Sequence, residues 1–199
     1  MNMIATTIFT RSVSILALLL VACQTLAAEV NWIEVDSKGG QVDVRSEIII
    51  HAPLPEVYSA LLKYDQFAKL GDTFADSRYV EPAEDGAPRI YTRVEGCIVF
   101  FCKTIERYAR LHVEPYRKIQ AIAEPELSDA ALSIESWTLT ADGDATIIHY
   151  RHELDTGFRL PPLLGALVIN RSVKKGTAKA AVRIEDLANA NRARTVAQN

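Results

Sequence analysis

The chain has 199 residues, 22 of them Lys or Arg and 25 Asp or Glu, for a formal net charge of −3. Nothing in that balance favours a nucleic-acid partner, which calls for clustered Lys and Arg. Arg11 is the only charged residue before Glu29, so the remainder carries a net charge of −4. Roughly 170 residues make one domain, enough to bury a sizeable core.

Residues 1–28 read as a secretory leader. Arg11 precedes the apolar run Val13 to Ala22, which is too short to span a bilayer. Two exits are open. Leu26-Ala27-Ala28 before Glu29 offers small residues for ordinary cleavage, whereas Leu20-Val21-Ala22-Cys23 looks like a bacterial lipobox that would acylate Cys23. Either way the expectation is an exported protein, periplasmic or membrane-anchored. Cys97 and Cys102 then remain, and an even pair in an oxidising compartment reads as a disulfide. No His or second Cys pair accompanies them in a zinc pattern, and no metal or cofactor is expected.

Trp32 to Asp36 and Gln41 to Ile50 read as strands around a Ser37-Lys38-Gly39-Gly40 turn. Val42, Val44, Ile48 and Ile50 alternate with polar residues, with Ser46 interrupting the stripe. Pro53 and Pro55 end ladder pairing and start a helix, with Glu56 near the positive end of its dipole. Val57, Leu61, Tyr64 and Ala68 continue at helical spacing to Gly71.

Strand-like segments follow at about Phe74–Val80, Arg89–Glu95, Lys103–Val113, Lys118–Ala123, Leu132–Leu139 and Ala145–Leu154, separated by Pro and Asp-Gly breakers. Half-buried alternation (Ile105, Ala109, Leu111, Val113; Ile148, Tyr150, Leu154) implies an antiparallel meander. Glu106, Tyr108, Arg110 and His112 fall on the opposite face, where cross-strand charge pairs belong. From about Pro161 to Ala190 the period changes. Ala166, Ile169, Val173, Thr177, Ala180, Ile184 and Leu187 make one helical stripe, about 40 Å long at 1.5 Å per residue. Gly176, Thr177, Ala180 and Ala181 keep the middle of that helix slim, which permits close backbone contact or empty volume beneath it. Residues 191–199 read as a polar, disordered tail.

The order of elements, together with Ile49, Ala52, Pro53, Val57, Tyr58 and Leu61, resembles the START-like helix-grip superfamily. Its polyketide cyclase/dehydrase and coenzyme-Q-binding branch is the most similar, through Ser136-Trp137-Thr138-Leu139 and Asp144 to Tyr150. The likeness covers about Val42 to Leu187. It implies an α+β fold in which a curved antiparallel sheet of six to seven strands wraps a long C-terminal helix around an apolar cavity. A fold of this kind hosts carriers and cyclases alike, so it does not decide activity.

The candidate cavity lining is Trp137, Ile148, Tyr150, His152, Ile169 and Val173, each with plain core packing as the alternative. His152 shares its strand parity with Ile148 and Tyr150 and is a weak candidate acid/base. No nucleophile elbow or phosphate-cradling loop occurs. Ile98, Val99, Phe100 and Phe101 lie between the two cysteines. As a continuing strand they would be core and would make a disulfide awkward, while as a loop they would form an exposed apolar tip suited to a membrane surface. The reading points to a binder of a hydrophobic small molecule, such as a lipid or isoprenoid quinone, rather than an enzyme. A cofactor-free cyclase or dehydratase is the alternative.

Overall fold

A computed structural model describes residues 27–69, 74–98, 101–158 and 165–197. Residues 1–26 with Cys23, residues Val99 and Phe100, and the expected helix start at Pro161-Pro162 lie outside them. Eight strands form one sheet: β1 (Glu29–Lys38), β2 (Gln41–Ile50), β3 (Phe74–Val80), β4 (Arg89–Ile98), β5 (Phe101–Glu114), β6 (Lys118–Ala123), β7 (Leu132–Asp142) and β8 (Ala145–Asp155). Helix α1 (Leu54–Leu61) and a 3-10 turn (Tyr64–Lys69) link β2 to β3, and helix α2 (Gly165–Ala197) ends the domain.

The sheet order is β1-β2-β8-β7-β6-β5-β4-β3, and each neighbouring pair is antiparallel. The chain crosses from β2 to the far edge at β3 through α1, then returns strand by strand until β8 closes against β2. The sheet is curved and unclosed. One more strand is present than the expected six to seven, because β1 pairs along nearly the whole of β2 and adds an edge.

Alternation sets the faces. Val42, Val44, Ser46, Ile48 and Ile50 of β2 are buried, as are Ser133, Glu135, Trp137 and Leu139 of β7, while residues between them are more exposed. The outer face carries the anticipated charge pairs, with Arg110 bonded to Glu124 at 2.7 Å and Arg89 to Glu124 at 2.6 Å. Helix α1 starts at Pro53 and turns Val57, Ala60 and Leu61 into the core. It is shorter than the helical periodicity suggested, since the chain leaves the α-helix at Leu62 and tightens into the 3-10 turn. Tyr79 covers that end by donating its hydroxyl to the Leu62 carbonyl at 2.7 Å.

The terminal helix meets the rest at two places. Near its start, Ile169 packs with Val42 and Val44, flanked by Val173, Ile33 and Val35. Farther on, Ala181, Ile184 and Ala188 join the main core with Val57, Ala60 and Leu61 of α1. The helix runs to Ala197, beyond the expected end at Ala190. Ala193 and Arg194 are strong helix formers, and Lys63 donates to Asn191, so the last described turns continue as helix.

The cysteines form the expected disulfide and correct one reading of the segment between them. Ile98 and Phe101 do end strands, yet the Cys97–Cys102 disulfide forms, with a Cα–Cα distance of 3.9 Å. The two residues sit on opposite strands of one hairpin rather than along one strand, and so face each other in register.

Candidate functional site

Between the two contacts of α2 lies an open cavity of about 300 Å³. Ser172, Val173, Gly176, Thr177 and Ala180 form its roof, with Ile184 at one end. Gly176 is exposed, and a Cβ added there would meet no heavy atom within 4 Å, so the roof is open at that point. The floor is Glu135 and Trp137 of β7, Tyr150 of β8 and Ile48 of β2, and the side wall is Leu61, Phe67 and Phe74. Aromatic rings order this wall. Trp137 meets Phe67 edge-on at 6.3 Å between centroids and Tyr150 at 5.5 Å, and Phe67 stacks on Tyr64 at 4.4 Å.

One polar cluster interrupts the apolar lining. Arg107 of β5 and Glu135 of β7 are each only 8% exposed and pair at 2.9 Å. Arg107 also donates to Ser133 at 2.9 Å, and the Tyr150 hydroxyl donates to the other Glu135 oxygen at 2.9 Å. The Ser133 hydroxyl bonds His152 Nε2 at 3.0 Å. The arrangement follows from the shape of the sheet. Strand β6, which separates β5 from β7, is only six residues long, and Ala121 and Ala123 are the inward residues near its end. Those small side chains leave room for Arg107 to reach across to β7.

Burial alone would push the Glu135 carboxyl up. Arg107 beside it, with His152 and the hydrogen bonds from Arg107 and Tyr150, holds it below the usual range instead. Burial and then the Glu135 charge raise the Tyr150 phenol well above its ordinary value, and the same two causes raise Tyr64. Burial lowers the His152 imidazole, against the pull of Glu135. The cluster is therefore a Glu carboxylate and an Arg cation sharing charge, surrounded by neutral Tyr and His.

Of the six anticipated lining residues, the structure places Trp137, Tyr150 and Val173 on the cavity. Ile148 is fully buried in the main core, and Ile169 is taken up by Val42 and Val44. His152 lies behind Tyr150, with ring centroids 6.4 Å apart, and faces Ser133 instead of the open space. Sequence reasoning passed over Arg107 and Glu135. The available signal was parity: Arg107 falls on the stripe of Ala109 and Leu111, and Glu135 on that of Trp137 and Leu139. Two opposite charges breaking two apolar stripes are what a buried ion pair looks like in one dimension. Among the described residues no group of His, Cys, Asp and Glu could hold a metal ion, and no helix is long and apolar enough to cross a membrane.

No protein-family profile matches the chain, and no curated protein matches it. Solved structures do. A START superfamily protein from Mycobacterium smegmatis is 15% identical with a TM-score of 0.56, over 73% of this chain and 98% of that one. The Zhui aromatase/cyclase from Streptomyces sp. R1128 is 14% identical with a TM-score of 0.56, over 75% and 94%. The STAR-related lipid transfer protein from Xanthomonas axonopodis is 12% identical with a TM-score of 0.56, over 82% and 94%. Identity this low speaks for architecture. The chain has the START-like helix-grip fold.

Proposed function

We propose that this protein binds and carries a hydrophobic small molecule, of the lipid or isoprenoid quinone class, beneath the terminal helix. The observation that carries the reading is the cavity of about 300 Å³, whose walls are apolar and aromatic except where Glu135, Ser172 and Thr177 reach it. Transferring an apolar ligand from water into such a space contributes roughly 25 cal/mol per Å² buried. The Glu135 carboxylate supplies a hydrogen-bond acceptor at one point of the floor, which orients a ligand carrying a donor. A STAR-related lipid transfer protein and an aromatase/cyclase among structures of the same fold are consistent with an apolar guest.

We place the protein in the cell envelope, on the strength of the leader sequence and the disulfide. The Cys97–Cys102 hairpin end, with its Ile98 to Phe101 sequence, is the proposed point of contact with a membrane surface. Co-sedimentation with phospholipid vesicles, lost in a Phe100→Ser/Phe101→Ser variant, tests that contact. Native mass spectrometry of protein purified from its host tests the binding itself. A co-purifying lipid is the expected result, while apo-protein alone, with no thermal shift across a lipid panel, refutes it.

A cofactor-free cyclase or dehydratase is the second reading, because Tyr150 and Glu135 both reach the cavity and hydrogen-bond to each other. Their protonation argues for binding instead. Proton transfer near neutral pH needs a group poised there, yet the carboxyl is held low and the phenol high. Turnover that a Glu135→Gln variant loses while retaining ligand would reverse this preference.

A further inference from the structure

Glu185 lies on the buried side of α2, only 8% exposed. Its carboxylate accepts two hydrogen bonds, from the His51 N–H at 2.7 Å and the Ala28 N–H at 3.2 Å. Both donors are neutral backbone amides. Buried charges are as a rule paired with an opposite charge. Ala28 is half-buried and packs against the main core, whereas Ala27 before it is exposed.

We infer that the leader is cut between Ala27 and Ala28, and that the α-ammonium released on Ala28 is the cation that pairs with Glu185. Water adds across the Ala27–Ala28 amide. The Ala27 carbonyl carbon takes the hydroxyl and departs with the leader as a carboxylate, while the Ala28 nitrogen keeps the bonding electrons and takes up protons to become an ammonium. That nitrogen already stands 3.2 Å from Glu185 Oε1, so the ion pair forms without moving β1. The cut places Ala27 and Thr25 at the two positions that call for small side chains. A cut after Ala28 would place the larger Leu26 at the outer position and remove the donor. Acylation at Cys23 would leave residues 23–27 ahead of Ala28 and keep its nitrogen a neutral amide. Processing thereby ties the edge strand β1 to the helix that roofs the cavity.

The inference rests on the export proposed above, and N-terminal sequencing with intact mass of the chain expressed with its own leader separates the two. A chain never cut fails export itself, and one that begins at Glu29 or at acylated Cys23 overturns only the site assigned here. The expected first residue is Ala28. The ion pair is read by Glu185→Gln in two backgrounds, the processed chain and the same chain with a Gly-Ser extension before Ala28. In thermal or urea unfolding, Glu185→Gln lowers the folding equilibrium about tenfold more in the processed chain, because only there does a cation lose its carboxylate partner. Equal losses in both backgrounds overturn the pairing.

Discussion

Filling the space beneath α2 should weaken ligand binding while leaving the fold intact or firmer, and Gly176→Leu does this most cleanly. Gly176 roofs the cavity, and a Cβ placed there meets nothing within 4 Å, so the substitution introduces no clash at its root. Replacing a helix-interior Gly by a good helix former is worth about 1 kcal/mol to stability. The leucine side chain then occupies volume that about four ligand methylenes would otherwise fill. At about 0.8 kcal/mol per buried methylene the ligand loses about 3 kcal/mol, or roughly two-hundredfold in affinity. The two effects have opposite signs, which separates this outcome from general damage. Displacement of an apolar fluorescent probe measures the affinity and a thermal melt measures the stability. Unchanged probe affinity in a variant at least as stable as the parent would show that the guest does not sit under α2.

Three further outcomes follow from the buried groups and one close approach. Arg107→Met leaves the Glu135 charge buried without its partner and should cost about 3–5 kcal/mol in urea unfolding, whereas Arg107→Met with Glu135→Leu should recover most of that; equal losses would mean that the pair is not a buried unit. Because burial lowers the His152 imidazole, the unfolded chain takes up its proton first as pH falls. Stability is therefore full above the unfolded value of about 6.5 and declines as pH drops through it, a slope that His152→Gln should flatten in melts between about pH 7 and 5. Glu135, held low by Arg107, adds a separate loss only nearer the unfolded Glu value of about 4.3. Gly40→Ala would set a Cβ 2.3 Å from the Phe158 carbonyl oxygen, so backbone must shift where β2 begins. A loss above about 2 kcal/mol in denaturant unfolding is expected, and a neutral result would place Phe158 elsewhere.

What could be read in one dimension was whatever depends on near neighbours. Alternation in β2, β7 and β8, the prolines that start α1 and the three-and-four stripe of α2 each follow from a residue and those a few positions away. These carried the strand segments, both helices and the general expectation of a sheet around a helix. The sequence could not decide where α1 would stop, because Tyr64, one of its last periodic residues, is buried in a 3-10 turn just as it would be in a helix. Nor could it choose between close contact and open volume beneath Gly176 and Ala180. That choice depends on how far the two anchoring clusters, Ile169 with Val42 and Ile184 with Leu61, hold the helix from the sheet.

The polar cluster shows the same limit most sharply. Arg107 and Glu135 are 28 residues apart, and each alone reads as a lapse in an apolar stripe. They become an ion pair because β6 is short and its inward side chains small, a fact about three strands at once. Parity likewise put His152 on the inner face correctly, yet only the position of Ser133 turned it away from the cavity. Face is a local property of a strand. Whether a residue on that face meets a neighbour or empty space is set by elements distant in the chain.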